Sequence, residues 1–137
     1  MLEIYTMLLT AWLLIFRIIM GGTLMHHGYP KLQDGAKQAG KWMNSMGIPS
    51  WTATLAMILE FFGGILLIAG FLTRLISAFI AVFMISNVIM KKIKMNASYV
   101  AQDKPSYEVD VLYLLLAVTL VIIGPGIISI DHLIGLA

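Results

Sequence analysis

Two ionisable residues, Arg17 and Glu60, lie in the middle of apolar stretches of the chain. The surrounding segments, Leu8 to Leu24 and Trp51 to Phe71, are otherwise long and apolar enough to cross a membrane. A charged side chain at such a depth costs roughly 2.5–3.5 kcal/mol on insertion scales, so it is usually retained for a partner or a function. Because the two charges have opposite signs and lie on consecutive spans, we expect them to form an ion pair.

The composition indicates an integral membrane protein. The chain has 137 residues, of which 60% are hydrophobic and 12% are charged, a balance that soluble domains do not show. A bilayer span requires about 20 mostly apolar residues. We therefore predict an all-α fold, an integral membrane four-helix bundle in the plasma or inner membrane, formed by one domain over residues 1–137. The predicted spans are residues 5–25, 50–71, 74–90 and 108–124.

The lysines are confined to one side of this predicted bundle. All seven lie in the first and third loops, whereas Arg74 lies on the other side with both termini. The positive-inside rule then places the Lys-rich loops in the cytoplasm and both termini on the extracytoplasmic side. The Lys-rich face is a candidate surface for a soluble or membrane redox partner. The Gly- and Ala-rich helix faces would permit a homo-oligomer, and membrane lipid surrounds the bundle.

The spacing predicts a polar cluster in the inner, Lys-rich half of the bundle. Arg17 is eight residues from Met25 and Glu60 is ten residues from Ser50, which places both roughly 12–15 Å from the inner ends of their spans. Other polar residues lie at the inner ends of the four helices. Ligand binding or proton relay in this cluster would involve Arg17, His27, Lys31, Glu60, Asn87 and Glu108.

Glycine and proline mark the helix ends. A Gly-Pro-Gly turn stops the last span, and on the outer side Arg74 could meet Asp131. For Arg17 and Glu60 the structural alternative is a buried ion pair that fixes helix register, and removing one partner of such a pair typically costs about 3–5 kcal/mol. Purely structural roles are expected for Gly28, Arg74, Gly124, Pro125, Gly126 and Asp131.

Several kinds of chemistry are excluded or disfavoured by the residues present. The chain has no cysteine, so it has no disulfide, thiol relay, iron–sulfur cluster or covalently attached haem. His26 and His27 lie at the inner end and His132 at the outer end, so they cannot ligate one haem within a monomer. No His and carboxylate share an i, i+4 spacing, which argues against a metal site. No basic stripe with interleaved aromatics points to nucleic acid.

Four groups of residues occur in an order and spacing typical of a known family. They are Arg17…His27-Gly28-x-x-Lys31, then Met46-Gly47-Ile48-Pro49, then Glu60-x-x-Gly63-Gly64 continuing to Gly70-x-x-Thr73-Arg74, and finally Glu108…Tyr113…Gly124-Pro125-Gly126-x-x-Ser129-x-Asp131. Together they make the chain similar to DoxX-family membrane proteins over nearly its whole length. Asp110 departs from the family pattern, in which a small or apolar residue is usual.

The resemblance implies a four-helix bundle in the plasma membrane. It also implies a link to quinones, because some family members are membrane subunits of quinone-linked oxidoreductases, including thiosulfate:quinone oxidoreductase. The leading hypothesis is therefore such a subunit, with a quinone as cofactor in the inner polar cluster and electrons supplied by a partner. The alternatives are a carrier or binding protein for a small hydrophobic or anionic compound, and a non-catalytic membrane assembly or scaffold subunit.

Overall fold

The structure is a computed structural model that describes residues 1–137. The chain is entirely helical, and no strand forms apart from an isolated bridge between Ser98 and Ser106. The helices are α1 (Leu2–Gly28), which a short 3-10 turn (Tyr29–Lys31) follows, α2 (Gly35–Ser45), α3 (Trp51–Ala69), α4 (Thr73–Lys94), α5 (Glu108–Ile123) and α6 (Ile130–Leu133).

Three of the helices are long and apolar enough to cross a membrane: α1 with its 3-10 turn, α3 and α4. α5 has 16 residues, which is about 24 Å of helix. It lies antiparallel to α4, because Lys91 near the end of α4 pairs with Asp110 at the start of α5, while Arg74 at the start of α4 bonds to Val121 near the end of α5. The fourth span and the sidedness of the termini stay predictions.

Close packing of α1 on α3 depends on glycine. A Cβ on Gly21 would lie 2.5 Å from the carbonyl oxygen of Gly64, and a Cβ on Gly64 would lie 2.5 Å from that of Gly21. Farther along α1, Gly28 packs against the backbone of Phe61. Small residues let helix backbones approach in this way where no hydrophobic effect drives them together. The inner end of α1 therefore lies beside the middle of α3.

The core lies between α1, α3, α4 and α5. Most of the other large apolar side chains are exposed on the outer helix faces, for example Phe79, Val82 and Leu115. Exposure of that extent is the pattern of a surface that meets lipid rather than water. The buried apolar residues of the core are Leu13, Met20, Leu24, Leu67, Ile80, Ala81, Met84, Ala117 and Leu120.

The first loop contains a helix that the sequence pattern did not reveal. α2 packs along the start of α3, and Gly40 allows the approach because a Cβ there would lie 3.0 Å from the carbonyl oxygen of Ser50. Lys37, Gln38 and Lys41 on this helix are exposed. An amphipathic helix with cationic residues on its polar face is typical of the membrane–water interface.

Candidate functional sites

The expected ion pair between Arg17 and Glu60 does not form. Glu60 instead accepts a hydrogen bond from Lys31, with 2.5 Å between Oε2 and Nζ. The side chains are 9% and 28% exposed, so the pair is mostly shielded from solvent. The reason is the register of α1 on α3: Gly28 packs beside Phe61, and this carries the following Lys31 to the level of Glu60.

Arg17 lies at the opposite end of α3 from the predicted cluster. Its side chain is buried, and Nη2 donates to the carbonyl oxygen of Ile128, 2.5 Å away. The guanidinium packs on Gly70, where any Cβ would collide with it. Nε and Nη1 are buried and have no hydrogen-bond partner in the protein. Arg17 therefore joins α1 to the segment that follows α5.

The predicted contact between Arg74 and Asp131 does not form either. The carboxylate of Asp131 accepts from the backbone N–H groups of Leu72 and Thr73, at 2.7 and 2.8 Å. It thereby satisfies donors at the start of α4 that have no partner within the helix. Arg74 is exposed, donates to the carbonyl oxygen of Val121 at 3.1 Å and packs on Gly124. Each of the two residues serves a different helix end.

Arg17, Arg74 and Asp131 share one kind of partner, namely backbone groups at helix ends or in the irregular segment 124–129. Non-helical backbone is tolerated at membrane depth only where protein groups satisfy its hydrogen bonds. The irregular segment begins at Gly124, whose φ of 91° suits glycine, continues through buried Pro125, and brings Gly126 against Leu13 of α1. This end of the molecule is a structural junction.

A second inner ion pair joins α4 to α5. Lys91 Nζ lies 2.5 Å from Asp110 Oδ2 and also donates to the carbonyl oxygen of Ser106 at 3.2 Å. The Asp110 side chain is 9% exposed. Asp110, the residue that departs from the family pattern, therefore has a definite partner. The sequence contains a signal for this pair, because the last turn of α4 is basic and the first turn of α5 is acidic.

The remaining residues of the predicted inner cluster do not converge. His27 is exposed beside His26, with 6.0 Å between their ring centroids. Glu108 is half-buried in the first turn of α5, and Asn87 is half-buried on α4. No group of three or more His, Asp or Glu side chains is placed to hold a metal ion. The polar residues thus lie at separate sites, because Lys31 pairs with Glu60 and Lys91 pairs with Asp110.

Asn87 lines a large groove between α3 and α4. The groove has a volume of about 750 Å³, and 13 of its 17 lining residues are hydrophobic. Its lining includes Trp51 at the start of α3, Lys94 at the end of α4, and Met43 and Ile48 before α3. It therefore lies toward the ends opposite the turn that joins α3 and α4. Sites for small molecules are commonly 300–1,000 Å³ and mostly apolar, with a few polar groups that orient the ligand. The polar groups here are Asn87, Lys94, Thr52 and Ser86.

Comparison with known proteins agrees with this helical, membrane-spanning architecture. The DoxX family profile matches residues 12–92. The chain belongs to the DoxX family. It is 30% identical over 118 residues to "Putative oxidoreductase CatD" of Bacillus subtilis (strain 168), an alignment that covers 86% of this chain and 83% of that protein.

A second relative extends the comparison to an Escherichia coli protein. The chain is 30% identical over 123 residues to "Inner membrane protein YqjF" of Escherichia coli (strain K12), covering 89% of this chain and 91% of that protein. No solved structure matches the chain. With its apolar helices, this DoxX-family chain is a multi-pass membrane protein.

Proposed function

We propose that this DoxX-family protein is the membrane subunit of a quinone-linked oxidoreductase and that it binds the quinone in the groove between α3 and α4. The groove is the observation that supports the proposal. It is large enough, at about 750 Å³, for a quinone ring with part of its apolar tail, and it opens to the surface of the protein. The name of the Bacillus subtilis relative gives independent support for a redox role.

The lining residues match the chemical needs of a quinone. A bound quinone supplies two-electron redox chemistry and requires a hydrogen bond at each carbonyl. Asn87 offers an amide N–H on one wall, and Lys94 offers an ammonium group at the inner end of the groove. Lys94 takes part in none of the ion pairs of the chain, so its charge is available to a ligand. Trp51 and Phe83 present aromatic surfaces for the ring.

The chain has no cysteine, and in this proposal the electrons come from another protein. A partner must deliver them, and the exposed lysines at the inner end are its candidate docking surface. Arg17, Lys31 and Glu60 do not line the groove, and each already has a partner elsewhere in the protein. Their roles in this proposal are structural.

The test is a binding titration of the purified protein with a short-chain quinone. Ile89 and Ile85 are both exposed on α4, but only Ile89 lines the groove. Ile89→Trp should weaken quinone binding by at least roughly tenfold, about 1.4 kcal/mol, because the larger indole occupies part of the volume. The matched control Ile85→Trp should bind like the wild type. Equal affinity in all three proteins would contradict the proposal.

A carrier or binding protein for another hydrophobic compound is the second candidate, since the groove is mostly apolar. Asn87→Leu separates the two functions. If the ligand is a quinone, the variant should bind it more weakly but bind an isoprenoid chain without carbonyl groups as well as the wild type does. If Asn87→Leu binds both compounds unchanged while Ile89→Trp binds neither, the carrier function is favoured.

A further inference from the structure

A second cavity, between α2 and α3, differs in character from the groove. It has a volume of about 460 Å³, and only two of its eight lining residues are hydrophobic. The groove is lined mainly by apolar side chains, whereas this cavity is lined by ammonium, amide and hydroxyl groups. Its lining residues with polar side chains are Lys37, Lys41, Asn44, Ser50 and Thr54.

The two walls of the cavity present their polar groups in register. Lys37, Lys41 and Asn44 are spaced i, i+4 and i+7 along α2, so they share one helix face. Ser50 and Thr54 are also four residues apart and present two hydroxyl groups on the opposite wall. The close packing that Gly40 permits brings the walls together. Residues with ammonium, amide and hydroxyl groups from two elements therefore line one volume of about 460 Å³.

The charge of the cavity is positive and largely uncompensated. No acidic residue lines it. Asp34 lies 3.9 Å from Lys37, but both side chains are more than 80% exposed, and such surface pairs contribute little. Lys41 takes part in none of the ion pairs of the chain. Two lysines beside amide and hydroxyl donors are a chemical match for the oxygens of a phosphate group.

The position of the cavity indicates where that phosphate group comes from. Trp51, which lines the cavity, is 61% exposed, and Trp42 on α2 is 46% exposed; tryptophan favours the membrane–water interface. α2 is itself amphipathic. The cavity therefore lies at the level of the lipid head groups, on the face where the lysines gather. We propose that it binds a phosphate group, and specifically the phosphate of an anionic membrane lipid.

The test measures lipid retained by the purified protein in native mass spectrometry, with phosphatidylglycerol against phosphatidylcholine. The wild type should retain phosphatidylglycerol preferentially. The variant Lys37→Gln with Lys41→Gln should bind it roughly tenfold or more weakly, because each lysine near a membrane surface contributes to the attraction of anionic lipid. The matched control, Lys92→Gln with Lys104→Gln, removes two exposed lysines that do not line the cavity and should leave binding unchanged.

Further arms distinguish the source of the phosphate and place it in the cavity. If inorganic phosphate displaces the lipid at millimolar concentration, the site also takes free phosphate. If it does not, the lipid head group is the ligand. Thr54→Val should weaken binding of phosphatidylglycerol without any change in charge. Equal loss in the two double variants, or no loss in Lys37→Gln with Lys41→Gln, would overturn the proposal.

Discussion

At the scale of residues, each ionisable side chain inside this protein has a specific partner. Glu60 holds Lys31, Asp110 holds Lys91, and Arg17 bonds to the carbonyl oxygen of Ile128. The choice of Lys31 over Arg17 as the partner of Glu60 follows from position rather than from chemistry, since either cation would satisfy a carboxylate. Each of these charged side chains therefore joins two segments of the chain.

The pair between Lys31 and Glu60 gives a prediction about stability. Lys31→Met and Glu60→Gln should each lower the free energy of unfolding in micelles, because each leaves the partner without its counter-charge. The double variant should lose less than the sum, with a coupling energy of roughly 1–3 kcal/mol. Thermal unfolding of the four proteins in this cycle measures the coupling. Strict additivity would show that the pair does not stabilise the fold.

At the scale of elements, the contact of α1 with α3 determines where the polar residues lie. Gly21 and Gly64 bring the two backbones together, and the end of α1 consequently falls beside the middle of α3. Residues can be counted from the inner end of each helix, on the assumption that the inner ends of α1 and α3 lie at the same depth. That count places Arg17 level with Glu60. The observed register places Arg17 beside Gly70 and Lys31 beside Glu60.

Neighbouring glycines on α1 provide a matched test of this helix contact. A Cβ on Gly21 would collide with Gly64, whereas a Cβ on Gly22 would meet nothing within 4 Å. Gly21→Ala should lower the free energy of unfolding by roughly 1–3 kcal/mol through overpacking. Gly22→Ala should be neutral or slightly stabilising, because alanine favours the helix. Comparison of the two variants by thermal unfolding checks the prediction, and equal stability would refute the close contact.

The sequence predicts some of these features and not others, for physical reasons. Apolar length reveals α1, α3 and α4, since a span must be long enough to cross hydrocarbon. The partner of Glu60 depends on the relative shift of two helices, which hydropathy does not contain. The groove depends on how far α3 and α4 separate, so the sequence predicts only Asn87 of its lining residues as a site residue. The sequence pattern does not predict α2, because its glycines and charged residues are typical of a loop.

At the scale of the whole molecule, the number of spans decides the side on which each terminus lies. The chain has no cysteine, so single-cysteine variants can be labelled without background. If α5 crosses the membrane, Glu3→Cys and Leu136→Cys should both react with an impermeant maleimide from the extracytoplasmic side, and Lys104→Cys only from the cytoplasmic side. If α5 does not cross, Glu3→Cys and Leu136→Cys should react from opposite sides.

The bond between Arg17 and Ile128 has a consequence for biosynthesis. Its two residues are 111 positions apart in the chain. At roughly 5–20 residues per second, on the order of ten seconds separate the synthesis of Arg17 from that of its acceptor. During that interval α1 has been synthesised but Arg17 has no acceptor, because Ile128 has not yet been added to the chain. We expect the nascent α1 to stay near the membrane-insertion machinery, or to keep Arg17 hydrated, until the segment that contains Ile128 emerges from the ribosome and packs against α1.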